Sequence, residues 1–458
     1  MLKPLKLPDS LLKYGVAAAI LTVLLYPKFP LIKLQGISVF IRLEDFVILA
    51  VFIIWFIKSF NLREFLEKIA RPTKIKEAKC KTCFYLDSFT KAILLFFAFG
   101  LVSLFFGVFL ASTVEAKTAM LHWARRIEYI SMLFIGVSAV KTKKDLYFFW
   151  KIIILAVIVA FLYGLGQRYG RIPIITTQNE EYSRGIALFW REGSHLVSTF
   201  AGHYDLASFL ILVFPALYLF LFSRKDTLKK FIPDTSIFVT RATIFIVVLM
   251  SLWLLTQTAS RISLVSYLGS SVLALIIAGK KKFIPFILVL SFVFASTSMN
   301  LVDRYLNFFD VYASELPEEL PTPTPLAIIE DRSTSIRLNV EWPRAIRAFT
   351  KNPLTGTGYS SITLATDNDY LRMLGEVGLL GFVSFWVAFG FVILILLRNL
   401  KKPESPESLY IVGVFSAIPG MLLNMVFIDL LEASKFAIIF WLMIGFAVGI
   451  ANLYEKAR

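Results

Sequence analysis

Apolar runs recur along this chain at a length that fits a lipid bilayer, and that feature constrains its fold most. The runs lie near residues 14–27, 42–58, 90–111, 123–140, 147–166, 204–223, 238–256, 261–278, 282–298, 378–397, 408–428 and 434–454. Most are roughly 18 to 22 residues long, the length of a helix that crosses hydrocarbon. Only 17% of the 458 residues are charged and mean hydropathy is +0.72, against about 25% charged in a soluble domain. The expected fold is an all-α polytopic membrane protein. It has about twelve transmembrane helices, with 1–458 as a single integral membrane domain.

Basic residues orient the spans. Lys3, Lys6 and Lys13 precede the first; Arg63 to Lys81 supply seven more between the second and third. Lys141 to Lys144, Arg224 to Lys230, Lys280 to Lys282, Arg398 to Lys402 and Lys456 to Arg458 follow at every second connection. Lys28, Lys33 and Lys117 fall on the other side. By the positive-inside rule both termini are cytoplasmic. The net charge of +16 is then largely topological, and nucleic acid is not an expected partner. The first span follows lysines without a small-residue cleavage site, so it reads as retained. Cys80 and Cys83 form a lone CKTC, short of the four ligands of a structural zinc site.

Two long connections, 167–203 and 299–377, are then external. Their basic residues are of another kind. They hold Arg168, Arg171, Arg184, Arg191, Arg304, Arg332, Arg337, Arg344, Arg347 and Arg372 against a single lysine, Lys351. Topology requires only charge, whereas arginine adds a planar fork that grips phosphate or carboxylate. A phosphate-bearing ligand and interfacial arginines reaching lipid headgroups both fit.

Within the second connection, PEELPTPTP at 317–325 reads as an extended tip. Leu338, Trp342, Ala345 and Phe349 then fall on one helical stripe. Arg337, Glu341, Arg344 and Arg347 lie beside or opposite it. An interfacial helix is expected near 335–351, with Pro343 distorting or restarting it. Asn352-Pro353 stops that helix, and Gly356 and Gly358 permit a tight turn or a close backbone approach. Asp367, Asn368 and Asp369 follow, one of them as an N-cap. Glu376 sits at the edge of the tenth span, where an ionisable group is functional or paired. Arg261 opens the eighth span after a very short turn; Arg191, His195, His203 and Asp205 lead into the sixth. His122 is expected to be structural.

Three ordered pieces resemble the O-antigen ligase and polymerase superfamily of bacterial membrane GT-C-type glycosyltransferases. They are Thr258-Ala259-Ser260-Arg261; Arg337 through Trp342 to the Pro353–Gly358 turn; and Asp367-Asn368-Asp369-Tyr370-Leu371 with Glu376, Gly378 and Gly381. The resemblance implies transfer of a glycan from an undecaprenyl-pyrophosphate carrier to an acceptor hydroxyl. It places that transfer on the external face of the bacterial cytoplasmic membrane, without a metal or other cofactor. The acceptor is a glycan, lipid or protein. The resemblance maps pyrophosphate-binding arginines onto Arg261 and Arg337, with Arg191 and Arg344 as further candidates. The family's histidine falls on Asp367, a departure. A carboxylate can still accept the hydroxyl proton, so Asp367 is the first candidate base, Asp369 the second, and Glu376 a third or an orienter of arginine. Asn368, Tyr359, Tyr370 and His203 are candidates for contact with glycan. The competing reading is a transporter that binds an anionic solute with the same arginines.

Overall fold

The computed structural model describes residues 8–29, 31–33, 40–59, 81–174, 188–298, 301, 335–362, 365–400 and 405–456. Arg184, Arg304, Arg332, Cys80 and the 317–325 run lie outside them.

Helices occupy all twelve expected places. They are α1 (Asp9–Leu25), α2 (Leu43–Ser59), α3 (Lys81–Phe105, extended by a π turn to Leu110), α4 (Ala116–Ala139), α5 (Lys143–Tyr169) and α6 (His203–Leu221). After a short α7 (Lys225–Phe231) come α8 (Ile237–Gln257), α9 (Arg261–Ile277) and α10 (Ile284–Ser296). The last are α11 (Trp342–Lys351), which is the short helix of the arginine segment, α12 (Asp369–Arg398), α13 (Pro406–Asn424) and α14 (Ser434–Lys456). Seven, namely α3, α5, α6, α8, α12, α13 and α14, are long and apolar enough to cross a membrane; α9 is a shorter apolar helix. The chain is a helical, polytopic membrane protein. One detail departs from the all-α expectation: β1 (Ile32–Lys33) pairs antiparallel with β2 (Phe40–Ile41).

The centre of the bundle is α6, α13 and α14. Their apolar windows are 89%, 78% and 89% buried, against 28% for α3 at the periphery. α13 packs on α6 and α9, α14 on α4, and α12 along α3. Polar contacts separate the two ends of the bundle. At one end Lys13 pairs with Asp145 at 2.7 Å, Lys141 with Asp9 at 2.6 Å, and Tyr147 donates to Glu407 at 2.6 Å. At the other, the buried Lys435 ammonium donates to the carbonyls of Tyr26 (2.7 Å) and Thr199 (2.6 Å), tying the end of α1 to the start of α14. The starts of α6, α9 and α12 and the end of α13 share this second end.

The helix expected near 335–351 is present, but its register differs from the stripe. Arg337–Glu341 form a π turn and α11 begins at Trp342, with Pro343 in its first turn. Proline offers no N–H to the preceding turn, and a π turn absorbs the misfit with an extra residue. That residue rotates what precedes it. Leu338 is 53% exposed while Arg337 is 9% exposed, so at its start the arginine faces inward and the stripe outward. Ala345, after the proline, is buried as expected.

Candidate active site

The site is built around a break in α12. Gly378 has φ 67° and ψ −173°, a combination that only glycine adopts without strain. The break leaves backbone groups of Gly375 to Leu380 without helical partners, and the Pro353–Gly358 turn supplies them. Thr357 N–H donates to the Gly375 carbonyl and Gly358 N–H to that of Glu376, each at 2.9 Å. In return Leu379 N–H donates to the Pro353 carbonyl at 2.8 Å and Leu380 N–H to that of Leu354 at 3.1 Å. The Ser103 hydroxyl donates to the Glu376 carbonyl at 2.5 Å. A Cβ at Gly356 would lie 2.4 Å from the Glu376 carbonyl oxygen, and one at Gly378 2.4 Å from that of Leu354. The glycines of this turn permit backbone-to-backbone docking, the second of the two uses expected for them.

Docking places α11 beside the start of α12. Arg337 then meets Asp367: Nε and Nη2 both donate to Oδ2, at 3.1 and 2.7 Å. The guanidinium also lies 6.0 Å over the Tyr204 ring at the start of α6. Asp367 is left-handed, with φ 47°, a conformation that aspartate tolerates better than most residues. Asp429 holds it there, accepting from Thr366 N–H at 2.8 Å and Asn368 N–H at 3.0 Å. Burial raises the Asp367 carboxyl above the usual carboxylate range, with Arg337 pulling the other way. One turn from Arg337, burial and the nearby Asp367 charge push Glu341 up to about 7.

Behind this pair lies a buried ionic network. Arg372 donates to Asp429 at 2.7 Å and to Glu376 at 3.3 Å, and lies 3.4 Å from Glu432. Arg126 closes the network by pairing with Glu432 and donating to the Leu431 carbonyl. His122 stands 3.9 Å from Glu432.

The other expected site residues have partners within the fold. Asp369 is buried, and both its oxygens accept backbone N–H groups of Leu430 and Leu431 at 2.8 to 3.2 Å. Its carboxylate anchors the chain at Leu430 and Leu431. Glu376 is 3% exposed and accepts from Arg372 at 3.3 Å. Asn368 caps α12, accepting from Leu371 N–H at 2.9 Å, while its amide donates to the Val426 carbonyl at 2.9 Å. The Tyr370 hydroxyl donates to the Leu422 carbonyl at 2.9 Å and its ring stacks 5.3 Å from Trp386. Tyr359 is 2% exposed, against α3. Asn368 and Tyr359 are buried, and Tyr370 is half-buried.

Arg261 opens α9, half-buried. The helix it opens is tied to α6 and to the end of α13 by Asn424, whose amide donates to Ser263 of α9 and Ser208 of α6, each at 3.1 Å. His203 stacks on His195 at 4.3 Å, next to Tyr204. Arg344 is half-buried on α11, whereas Arg191 is exposed on the turn before α6. Sequence reasoning missed Asp429, Glu432, Arg126 and Asn424. Their one signal was the presence of ionisable or amide groups at span ends, where an unpaired one is costly. Among the described residues no group of three or more His, Cys, Asp or Glu is arranged to hold a metal ion.

Residues 245–386 match the family model described as O-antigen ligase. The match runs from α8 through the Arg337 segment into α12, and so includes Arg261, Arg337 and Asp367. No curated protein matches the chain.

Proposed function

With the O-antigen ligase match over residues 245–386 as premise, we propose that this chain moves a glycan from an undecaprenyl-pyrophosphate carrier to an acceptor hydroxyl. It does so as a ligase or polymerase, at the external face of the bacterial cytoplasmic membrane. The helices at all twelve expected places cross, both termini are cytoplasmic, and 167–203 and 299–377 are external. The ion pairs of Lys13 and Lys141 mark the inner end, and Arg337 and Asp367 stand at the other. The Ser335–Lys351 segment lies in the interface, its exposed Ile336, Leu338 and Ile346 toward lipid.

The observation that carries this reading is the Arg337–Asp367 pair, in which Nε and Nη2 converge on Oδ2 at 3.1 and 2.7 Å. Arg337 offers two parallel N–H groups, which suit a phosphate as well as a carboxylate. The donor's pyrophosphate displaces Asp367 and takes those donors, with Arg261 as a second contact. The freed carboxylate faces the acceptor. Its raised pKa makes it a stronger base than a solvated aspartate, which suits proton abstraction near neutral pH. The acceptor oxygen attacks the anomeric carbon as its proton passes to Asp367. The bond from that carbon to the pyrophosphate oxygen breaks on the opposite face, which inverts the centre. Arginines stabilise the charge developing on the leaving group.

Reconstitution with an undecaprenyl-pyrophosphate glycan tests this. Arg337→Ala and Arg261→Ala each reduce transfer by about 10²-fold or more, and Asp367→Asn by about 10²–10⁴-fold. Full turnover in Asp367→Asn removes the base. Uptake of an anionic solute into vesicles, with no transfer, replaces the enzyme by a transporter.

A further inference from the structure

Lys151 lies within a membrane-crossing helix, about two turns beyond the start of α5. Other lysines near this end of the bundle have carboxylates. Lys13 has Asp145, Lys141 has Asp9, and Lys143 stands 3.8 Å from Glu407. Lys151 pairs with no carboxylate among the described residues; its ammonium lies 5.5 Å over the Phe231 ring at the end of α7. Phe231 in turn meets Tyr147 edge-on at 5.5 Å, and Tyr147 donates to Glu407. A cavity of about 250 Å³ opens between α5 and α8, and both Lys151 and Phe231 line it. α8 turns one helical face to it: Thr240, Thr243, Ile244 and Val247. Thr235 lines it ahead of α8, while Ile154 of α5 and Leu217 of α6 extend the apolar wall. No carboxylate is in the lining, and Asp234, beside Thr235 in the chain, is exposed. The cavity therefore combines one uncompensated cation, three hydroxyls and an apolar wall. It also borders lipid. The apolar windows of α5 and α8 are each only 39% buried, and Leu155, Phe238 and Val239, next to lining positions in sequence, are exposed.

We infer that this cavity holds the headgroup of one anionic glycerophospholipid, its phosphate on the Lys151 ammonium. The lipid belongs to the leaflet at this end of the bundle, which is cytoplasmic in the orientation proposed above. The chemistry selects the class. A lysine set within a span is costly without an anionic partner, and a phosphodiester is such a partner. The Thr240 and Thr243 hydroxyls donate to the carbonyls of Ser236 (3.1 Å) and Val239 (2.9 Å). Their oxygen lone pairs remain to accept, which suits a headgroup bearing hydroxyls, as glycerol does. A zwitterionic headgroup would bring its own cation toward Lys151. A soluble phosphate would use the lysine and leave the apolar wall wet. The cavity is smaller than the roughly 300 Å³ at which pockets for whole small molecules begin, so the headgroup enters and the acyl chains run outside, along the lipid-facing sides of α5 and α8.

The test is lipid titration of the detergent-solubilised full-length protein, read by native mass spectrometry. The probes are phosphatidylglycerol, phosphatidylcholine and sn-glycerol 3-phosphate. Wild type binds one phosphatidylglycerol about tenfold more tightly than phosphatidylcholine, the weight of one charge-assisted hydrogen bond. Lys151→Met removes that preference, and Lys151→Arg, which keeps the charge, retains it. Thr240→Val with Thr243→Val weakens phosphatidylglycerol about threefold or more. Lys229→Met, which removes an exposed lysine of α7, changes the affinity about twofold at most. Equal wild-type affinity for the two lipids overturns the site, as does a preference that survives Lys151→Met. Equal losses in Lys151→Met and Lys229→Met overturn it too, by making the preference a property of the charged surface. Binding of sn-glycerol 3-phosphate as tight as that of the lipid overturns the lipid occupant in favour of a soluble anion. Each of these failures leaves the proposed glycan transfer standing, because none of the substituted residues belongs to the candidate active site.

Discussion

Replacing Arg372 by methionine tests the ionic network on which the site rests. Arg372 is enclosed by three carboxylates: Asp429 at 2.7 Å, Glu376 at 3.3 Å and Glu432 at 3.4 Å. Methionine fills similar volume but leaves Asp429 and Glu376 facing each other without a cation. Breaking a buried ion pair by removing one partner costs about 3–5 kcal/mol, because the remaining charge is uncompensated. At about 2.1 cal/mol/K per residue the unfolding entropy of a chain this size is near 1 kcal/mol/K, so the melting temperature falls by about 3–5 °C. The assay is thermal loss of the monodisperse peak in size-exclusion chromatography of detergent-solubilised protein. A second substitution separates charge from packing. Adding Glu376→Gln removes one of the stranded carboxylates and recovers part of the loss, a non-additivity expected only of groups in one network. Because Asp429 also clamps the backbone either side of Asp367, the single variant loses transfer activity as well. A melting temperature within 1 °C of wild type, or strictly additive losses, refutes the reasoning.

Two further outcomes follow from the geometry. Gly378→Ala forces a Cβ to within 2.4 Å of the Leu354 carbonyl oxygen at φ 67°; it costs about 1–3 kcal/mol from the backbone conformation alone, read as a lower melting temperature, while Gly390→Ala in open space costs nothing. Glu341 titrates near 7 in the folded protein against 4.5 for the free group; the unfolded chain therefore releases this proton first, and stability from this group is lost as pH rises from about 4.5 to 7. Glu341→Gln removes that loss, so the melting-temperature difference between variant and wild type moves in the variant's favour from pH 5 to pH 8; a difference that does not change with pH contradicts the shift.

The helical segments were legible because hydrophobic run length is a local property, and each run folds into a helix whatever its neighbours do. The Pro353–Gly358 turn was legible as a close approach, since glycine spacing signals it. What it approaches was not, because the break at Gly378 becomes visible only when the turn is docked. Arg337 and Asp367 were selected individually; their pairing depends on Asp429, 62 residues beyond Asp367, which no local pattern connects to them. Asp369 and Asp367 are chemically identical and two residues apart, so only the direction of each side chain separates an anchor from a candidate base. The register of the interfacial segment was misread because regular 3.6-residue periodicity carries no signal for a π turn ahead of Pro343.

The docked turn also bears on how the protein is made. Every group that satisfies the break in α12 comes from earlier in the chain: Ser103, then Pro353 through Gly358. When this helix enters the bilayer, where an unpaired backbone group costs several kcal/mol, its partners have already been synthesised. The clamp on Asp367 has the opposite timing, for Asp429 and the Leu430 and Leu431 amides are translated after α13. The two halves of the candidate site are therefore completed at different moments of biogenesis. A nascent chain released before residue 429 holds the Pro353–Gly358 turn in place and leaves Asp367, the candidate base, unset.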